Sequence, residues 1–113
     1  MSDDQRVDIP LTDLAEGTMT VRNIGGREIL ICRTKSGLHA LDNICTHAYA
    51  RLNEGRLRGT RLICPLHGAS FDVRDGRVLG APATRPLATH ALRIVDGGIE
   101  ISVAPSVSKQ PAI

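Results

Sequence analysis

Ala91-Leu92-Arg93-Ile94-Val95, then Asp96-Gly97-Gly98, then Ile99-Glu100-Ile101-Ser102-Val103: this stretch decides the fold class. Two short runs rich in branched apolar residues flank a glycine-containing break, which is the signature of a tight β-hairpin. The same pattern recurs upstream. Met19-Thr20-Val21-Arg22-Asn23-Ile24 is followed by Gly25-Gly26 and a second run from Glu28 to Arg33. Lys35-Ser36-Gly37 turns the chain into Leu38-His39-Ala40-Leu41-Asp42. Arg61-Leu62-Ile63-Cys64 reads as another strand, and Ser70-Phe71-Asp72-Val73 pairs with Arg77-Val78-Leu79 across Arg74-Asp75-Gly76. Many short strands with closely spaced turns predict an all-β sandwich or small barrel. Only Thr12 to Gly17 reads as helical, a single turn with Thr12 as N-cap and Gly17 as stop. Past Ala104 the chain turns to Pro, Ser, Lys and Gln, so 106–113 is expected to be a loose tail after one domain over 1–105.

Composition narrows the function. The 113 residues are 42% hydrophobic and 23% charged, with a formal charge of +2 and aromatics at 2%. A nucleic-acid binder usually needs a basic field and stacking rings, and neither is present. The longest aliphatic run, Ile29-Leu30-Ile31 before Cys32, is too short to cross a bilayer. Met1-Ser2-Asp3-Asp4-Gln5 is acidic where a secretory leader would be basic and then apolar, so a cytoplasmic location is expected. Three cysteines, an odd count, disfavour a disulfide scaffold and direct attention to metal binding or a buried thiol.

Cys45-Thr46-His47 and Cys64-Pro65-Leu66-His67-Gly68 carry the chemistry. Each sets a cysteine and a histidine within three positions, at the end of an expected strand. Two such loops can gather two sulfurs and two nitrogens around a zinc ion or a binuclear iron–sulfur cluster. Structural zinc sites usually pair like with like, C-x2–4-C and H-x3–5-H. Here both knuckles are mixed, C-x-H and C-x2-H, with sixteen residues between His47 and Cys64.

This pattern, C-x-H followed by C-P-x-H-G, resembles the Rieske family, and Gly80-Ala81-Pro82-Ala83 resembles that family's third loop, which covers the cluster. The resemblance extends through Pro86-Leu87 to the closing hairpin, as in small bacterial Rieske ferredoxins. It implies a Rieske-type antiparallel β-sandwich or barrel with a small cluster-binding part at about 44–70. It further implies one 2Fe-2S cluster, with Cys45 and Cys64 on one iron and His47 and His67 on the other. Two thiolates and two neutral imidazoles leave the oxidised centre neutral, where four thiolates would leave it dianionic. A neutral centre accepts an electron more readily, hence the higher potentials of Rieske clusters.

Departures from the respiratory members matter too. Their loop-bridging cysteines are replaced by Ala50 and Leu66, and their serine and tyrosine hydroxyls by Ala69 and Phe71. Without hydroxyl bonds to the sulfurs the reduced state is less stabilised, so a potential near the roughly −150 mV end of the Rieske range is expected.

Plainer readings stand beside these. Cys32, with no histidine nearby, is expected to be an inert core thiol, and His39 and His90 to be structural. Gly68 serves a close backbone approach to the cluster or a positive φ, or is a plain turn glycine. Pro65 and Pro82 stiffen the loops or are ordinary loop prolines, and Tyr49 shields the cluster or is solvated. Arg51, Arg56, Arg58 and Arg61 form either a solvated face or a docking surface.

The resemblance implies an electron-transfer ferredoxin and not an enzyme. Its partners would be an NAD(P)H-dependent flavoprotein reductase and a terminal aromatic-ring-hydroxylating dioxygenase, with no substrate, membrane or nucleic acid of its own. The alternative is the Rieske-like small subunit of an assimilatory NAD(P)H nitrite reductase.

Overall fold

β3 (Arg27–Thr34) buries Ile29, Leu30, Ile31 and Cys32 in succession. A strand buried on both faces loses the usual alternation, because successive side chains enter different cores. Leu30 and Cys32 join one cluster with Leu41, Leu62, Phe71 and Val73, while Ile29 and Ile31 join another with Ile24, Ile99 and Ile101. The computed structural model describes residues 4–7, 9–10, 14–46, 50–66 and 68–103.

The remaining strands are β1 (Asp4–Val7), β2 (Met19–Ile24), β4 (Gly37–Asp42), β5 (Arg56–Arg58), β6 (Arg61–Ile63), β7 (Ser70–Asp72), β8 (Val78–Gly80), β9 (Thr89–Val95) and β10 (Gly98–Ser102). They form a six-stranded sheet in the order β1-β10-β9-β4-β3-β2 and a four-stranded sheet in the order β5-β6-β7-β8, with every pairing antiparallel. The all-β expectation holds. In the β9–β10 hairpin Val95 faces Gly98, and the two central residues, Asp96 and Gly97, both take positive φ (53° and 75°). That conformation matches the twist of the flanking strands, and aspartate and glycine tolerate it best. No helix among the described residues is long and apolar enough to cross a membrane.

The expected helical turn over Thr12–Gly17 is not formed in its described part. Leu14–Gly17 is a bend leading into a β-turn, in which the Thr18 backbone N–H and hydroxyl both donate to the Ala15 carbonyl (3.1 and 2.5 Å). The Gly17 N–H instead donates to Arg33 O at 2.7 Å, so a long-range bond outweighs a weak local propensity. Thr12, Tyr49 and the tail at 106–113 lie outside the described residues.

The turn between β7 and β8 is pinned by Asp72, whose side chain is only 3% exposed. Its carboxylate accepts from the Arg74 backbone N–H (2.9 Å), from Arg74 Nε and Nη2 (3.0 and 2.7 Å) and from Arg77 Nη2 (3.4 Å). The Arg74 side-chain bonds, outweighing burial, hold its pKa down at about 2. A free aspartate titrates near 4, so the stabilisation is complete above about pH 4 and disappears as the pH falls through 2. Its ceiling is about 2 kcal/mol, lowered by solvent because Arg74 and Arg77 are 53% and 60% exposed. Asp72→Asn is expected to lower Tm by roughly 4–8 °C at pH 6, with the gap from wild type closing between about pH 4 and 2. Thermal unfolding by circular dichroism across that range checks this; a gap independent of pH would assign the effect to packing.

Candidate metal centre

Cys45 follows β4 by three residues, and Cys64 directly follows β6. The two loops close in the same way. The Cys45 N–H donates to Ala50 O at 2.9 Å, and the Cys64 N–H donates to Ala69 O at 2.7 Å. Each cysteine is therefore bonded to the residue five positions ahead, and each loop returns to a buried alanine in the central core.

Other residues hold the two loops in place. Asn43, fully buried, donates through Nδ2 to Glu28 Oε1 (3.0 Å) and Asn53 Oδ1 (2.8 Å), while its Oδ1 accepts from the Asn53 N–H (2.9 Å). It thereby fixes the start of the first loop to the 3-10 turn Leu52–Glu54. Bonds from Arg51, then from Asn43, hold the Glu28 carboxylate below its ordinary pKa. Gly55 ends that turn so close to the second loop that a Cβ there would lie 1.9 Å from Ile63 O and 3.1 Å from Pro65 Cδ. The third loop is clasped to the first: Thr46 Oγ1 donates to Arg85 O (2.7 Å) and Arg85 Nη2 donates to Thr46 O (2.9 Å). Ala83 and Leu87 from this loop share the core cluster that contains both cysteines. Neither Asn43 nor the Thr46–Arg85 clasp has a spacing pattern that sequence reading could detect.

Cys45 and Cys64 are buried and not bonded to each other. Burial raises the Cys64 pKa; the Leu66 backbone N–H opposes this, and the neighbouring Cys45 thiol, within hydrogen-bonding reach, adds to the rise. Two unbridged sulfurs held together in an apolar core suit the thiolate side of an iron–sulfur centre, because a bound cation supplies the charge that makes both deprotonated. His47 and His67 lie outside the described residues. Gly68 takes φ 75°, in the left-handed region that favours glycine.

The other expected residues take structural places. Cys32 is fully buried, and burial pushes its thiol up to about 12. His90 Nε2 lies 2.9 Å from Asp42 Oδ1, and Arg27 donates to both oxygens of the same carboxylate at 3.0 Å. Burial would raise the pKa of Asp42, but the bonds from His90 and Arg27 hold it below its ordinary value. His39 Nε2 is buried without a hydrogen-bond partner among the described residues, and burial lowers that ring's pKa. Ala69 and Phe71, both fully buried, bring no hydroxyl.

A small sheet hung on a larger one, with two like-closed loops setting their cysteines together, defines a β protein built to hold a metal centre through paired loops. The profile of the Rieske [2Fe-2S] domain matches residues 5–91. The chain belongs to the Rieske [2Fe-2S] domain family and carries one cluster of that type. It is 36% identical over 86 residues to the naphthalene 1,2-dioxygenase system ferredoxin component of Pseudomonas putida, covering 76% of this chain and 83% of that one. The ferredoxin of carbazole 1,9a-dioxygenase from Nocardioides aromaticivorans IC177 superposes with a TM-score of 0.84 at 29% identity, over 89% of this chain and 98% of its own. A ferredoxin solved in complex with the oxygenase of carbazole 1,9a-dioxygenase superposes with a TM-score of 0.81 at 28% identity, over 87% and 100%. A proposed NADH-dependent nitrite reductase small subunit from Mycobacterium tuberculosis gives 0.79 at 17% identity over 94% and 99%, a likeness of fold.

Proposed function

We propose that this chain is a one-electron carrier between an NAD(P)H-dependent flavoprotein reductase and a terminal ring-hydroxylating dioxygenase of aromatic catabolism, working in the cytoplasm. The observation that carries this reading is the pair of like-closed loops with Cys45 and Cys64 buried side by side. The names of its relatives, ferredoxins of naphthalene and carbazole dioxygenase systems, support it over the nitrite reductase alternative, whose likeness is one of fold.

In this reading Cys45 and Cys64 hold one iron, and His47 and His67 hold the other. The cluster supplies the redox chemistry, storing one electron at a time. The chain supplies position and environment. Its cysteine N–H groups are committed to Ala50 O and Ala69 O, Asn43 and the Thr46–Arg85 clasp fix the loops, and Leu30, Leu41, Leu52 and Leu62 keep water from the thiolate side. The division of 1–105 into a β base and a cluster-binding part at about 44–70 belongs to the same proposal, and the separate four-stranded sheet supports it.

Catalytic reductase and NADH are expected to reduce the chain and, through it, an oxygenase that then dihydroxylates an arene. A redox titration is expected near roughly −150 mV, because Ala69 and Phe71 offer the sulfurs no hydroxyl. A cluster-loaded chain that copurifies with a sirohaem protein and leaves the oxygenase oxidised would overturn the carrier reading.

A further inference from the structure

The four arginines between the cysteine loops divide into two kinds. Arg51 is bonded to both oxygens of Glu28 (3.1 and 3.2 Å from Nε), with Glu54 adding to the attraction. Arg61 donates to the neutral Ser70 hydroxyl at 2.7 Å and keeps its net charge. Arg56 and Arg58 are exposed and have no hydrogen bond or ion pair among the described residues. Elsewhere Arg27, Arg74, Arg77 and Arg93 meet carboxylates, while Arg22 and Arg85 donate to hydroxyl or carbonyl oxygens.

Register sets the three of the four arginines between the loops that meet no carboxylate on one face of the small sheet, with the Arg61 guanidinium leaning over Ser70. Arg58 faces Arg61 and Arg56 faces Ile63, so all three arginines share the sheet face opposite Leu57, Leu62 and Phe71. Like charges opposed across a strand pair are unfavourable, and although Arg61 faces Asp72 on its other side, that carboxylate accepts from Arg74 and Arg77 instead. The face adjoins the metal centre. Ile63 precedes Cys64, Gly55 is wedged against Ile63 and Pro65, and the Arg56 and Cys64 Cα atoms are therefore under about 10 Å apart. Leu66, one of two large apolar side chains exposed among the described residues (47%), belongs to the same second loop.

We propose that the Arg56, Arg58 and Arg61 face, with Leu66 beside it, is the docking surface for an acidic patch on the terminal oxygenase that accepts the electron. This rests on the carrier reading above. Charge complementarity selects the partner's chemistry, and a strip next to the second ligand loop brings the partner in where electron transfer is shortest. β5 is also the sheet edge, where charged residues commonly guard against strand pairing between molecules. The two roles predict different results.

The test uses the full cluster-loaded chain and its Arg56→Glu/Arg58→Glu variant, each reduced with dithionite. Arg56→Gln/Arg58→Gln serves if reversal prevents cluster loading. Stopped-flow oxidation is followed from low to high salt, first by hexacyanoferrate(III), which takes one electron and becomes hexacyanoferrate(II), and then by the terminal oxygenase. The proposal expects wild-type oxidation by the anion to slow with salt, and the reversed variant to lose or invert that slope. Transfer to the oxygenase is expected to fall about tenfold or more at low salt and to converge with wild type at high salt.

Unchanged salt slopes with hexacyanoferrate, or wild-type transfer accompanied by self-association of the variant, would reduce the strip to an edge guard and overturn the proposal. A normal oxygenase rate with a slowed reductase would overturn the choice of partner. If wild type itself fails to reduce the oxygenase, the carrier reading falls, while the hexacyanoferrate slopes still report whether the arginine face adjoins the electron's exit.

Discussion

Cys64→Ala and Cys45→Ala are each expected to yield a chain without iron or inorganic sulfide, without the visible absorbance of the cluster, and with electron transfer at background. Both sulfurs sit within the core that joins the two sheets, so alanine there leaves the apolar packing largely in place while removing the thiol. Cys32→Ala is the matched control. Cys32 belongs to the same core, but its thiol is pushed up to about 12 and its strand pairs it with His39 in mid-sheet. That variant is expected to keep full iron and lose about 1 kcal/mol of stability, the ordinary effect of a small core truncation. Iron and sulfide analysis with electron paramagnetic resonance of the reduced proteins decides the matter. A cluster retained in Cys45→Ala or Cys64→Ala would remove that residue from the ligand set.

Gly55→Ala is expected to have the next largest effect. The added carbon would fall 1.9 Å from Ile63 O and 3.1 Å from Ile63 C, both backbone atoms, and 3.1 Å from the ring of Pro65. No rotamer change relieves a backbone clash, so β5 must separate from β6 where the second loop begins. Overpacking of this kind costs about 3 kcal/mol, a Tm drop of roughly 12 °C in a domain this size. The displaced Cys64 loop is expected to lower iron content as well. Gly59→Ala, in the turn between the same strands, meets nothing within 4 Å and carries only the strain of φ 59°. It is expected to cost about 1 kcal/mol and leave the iron unchanged. Equal melting temperatures and iron contents in the two variants would show that the Gly55 contact is not tight.

What could be read in the sequence depended on how locally each signal is encoded. The hairpins around Gly25-Gly26 and Asp96-Gly97 were legible because turn chemistry and apolar runs lie side by side. The meeting of Cys45 and Cys64 was legible because each loop carries a cysteine beside a histidine in the sequence. β1 (Asp4–Val7) was missed because it is held by its register with Val7 opposite Ile99 and Asp4 opposite Ser102, a pairing across most of the chain. β5 was missed because Arg56-Leu57-Arg58 offers one apolar residue and no alternation to detect. The Leu14–Gly17 segment looked helical because its own residues favour a helix, whereas its bond to Arg33 is nonlocal. Asn43 could not have been singled out either: a lone asparagine reveals its role only when Glu28 and Asn53 are placed beside it.

The matched closure of the two cysteine loops has a kinetic meaning. A backbone N–H anchored from Cys45 and from Cys64 to a carbonyl five positions ahead leaves the two cysteines little freedom to shift when charge arrives or departs. Atoms that need not rearrange impose little reorganisation barrier, so the centre can exchange electrons quickly across small differences in potential. A relay that must be loaded and emptied repeatedly within one turnover of its partners benefits from stiffness more than from a steep driving force.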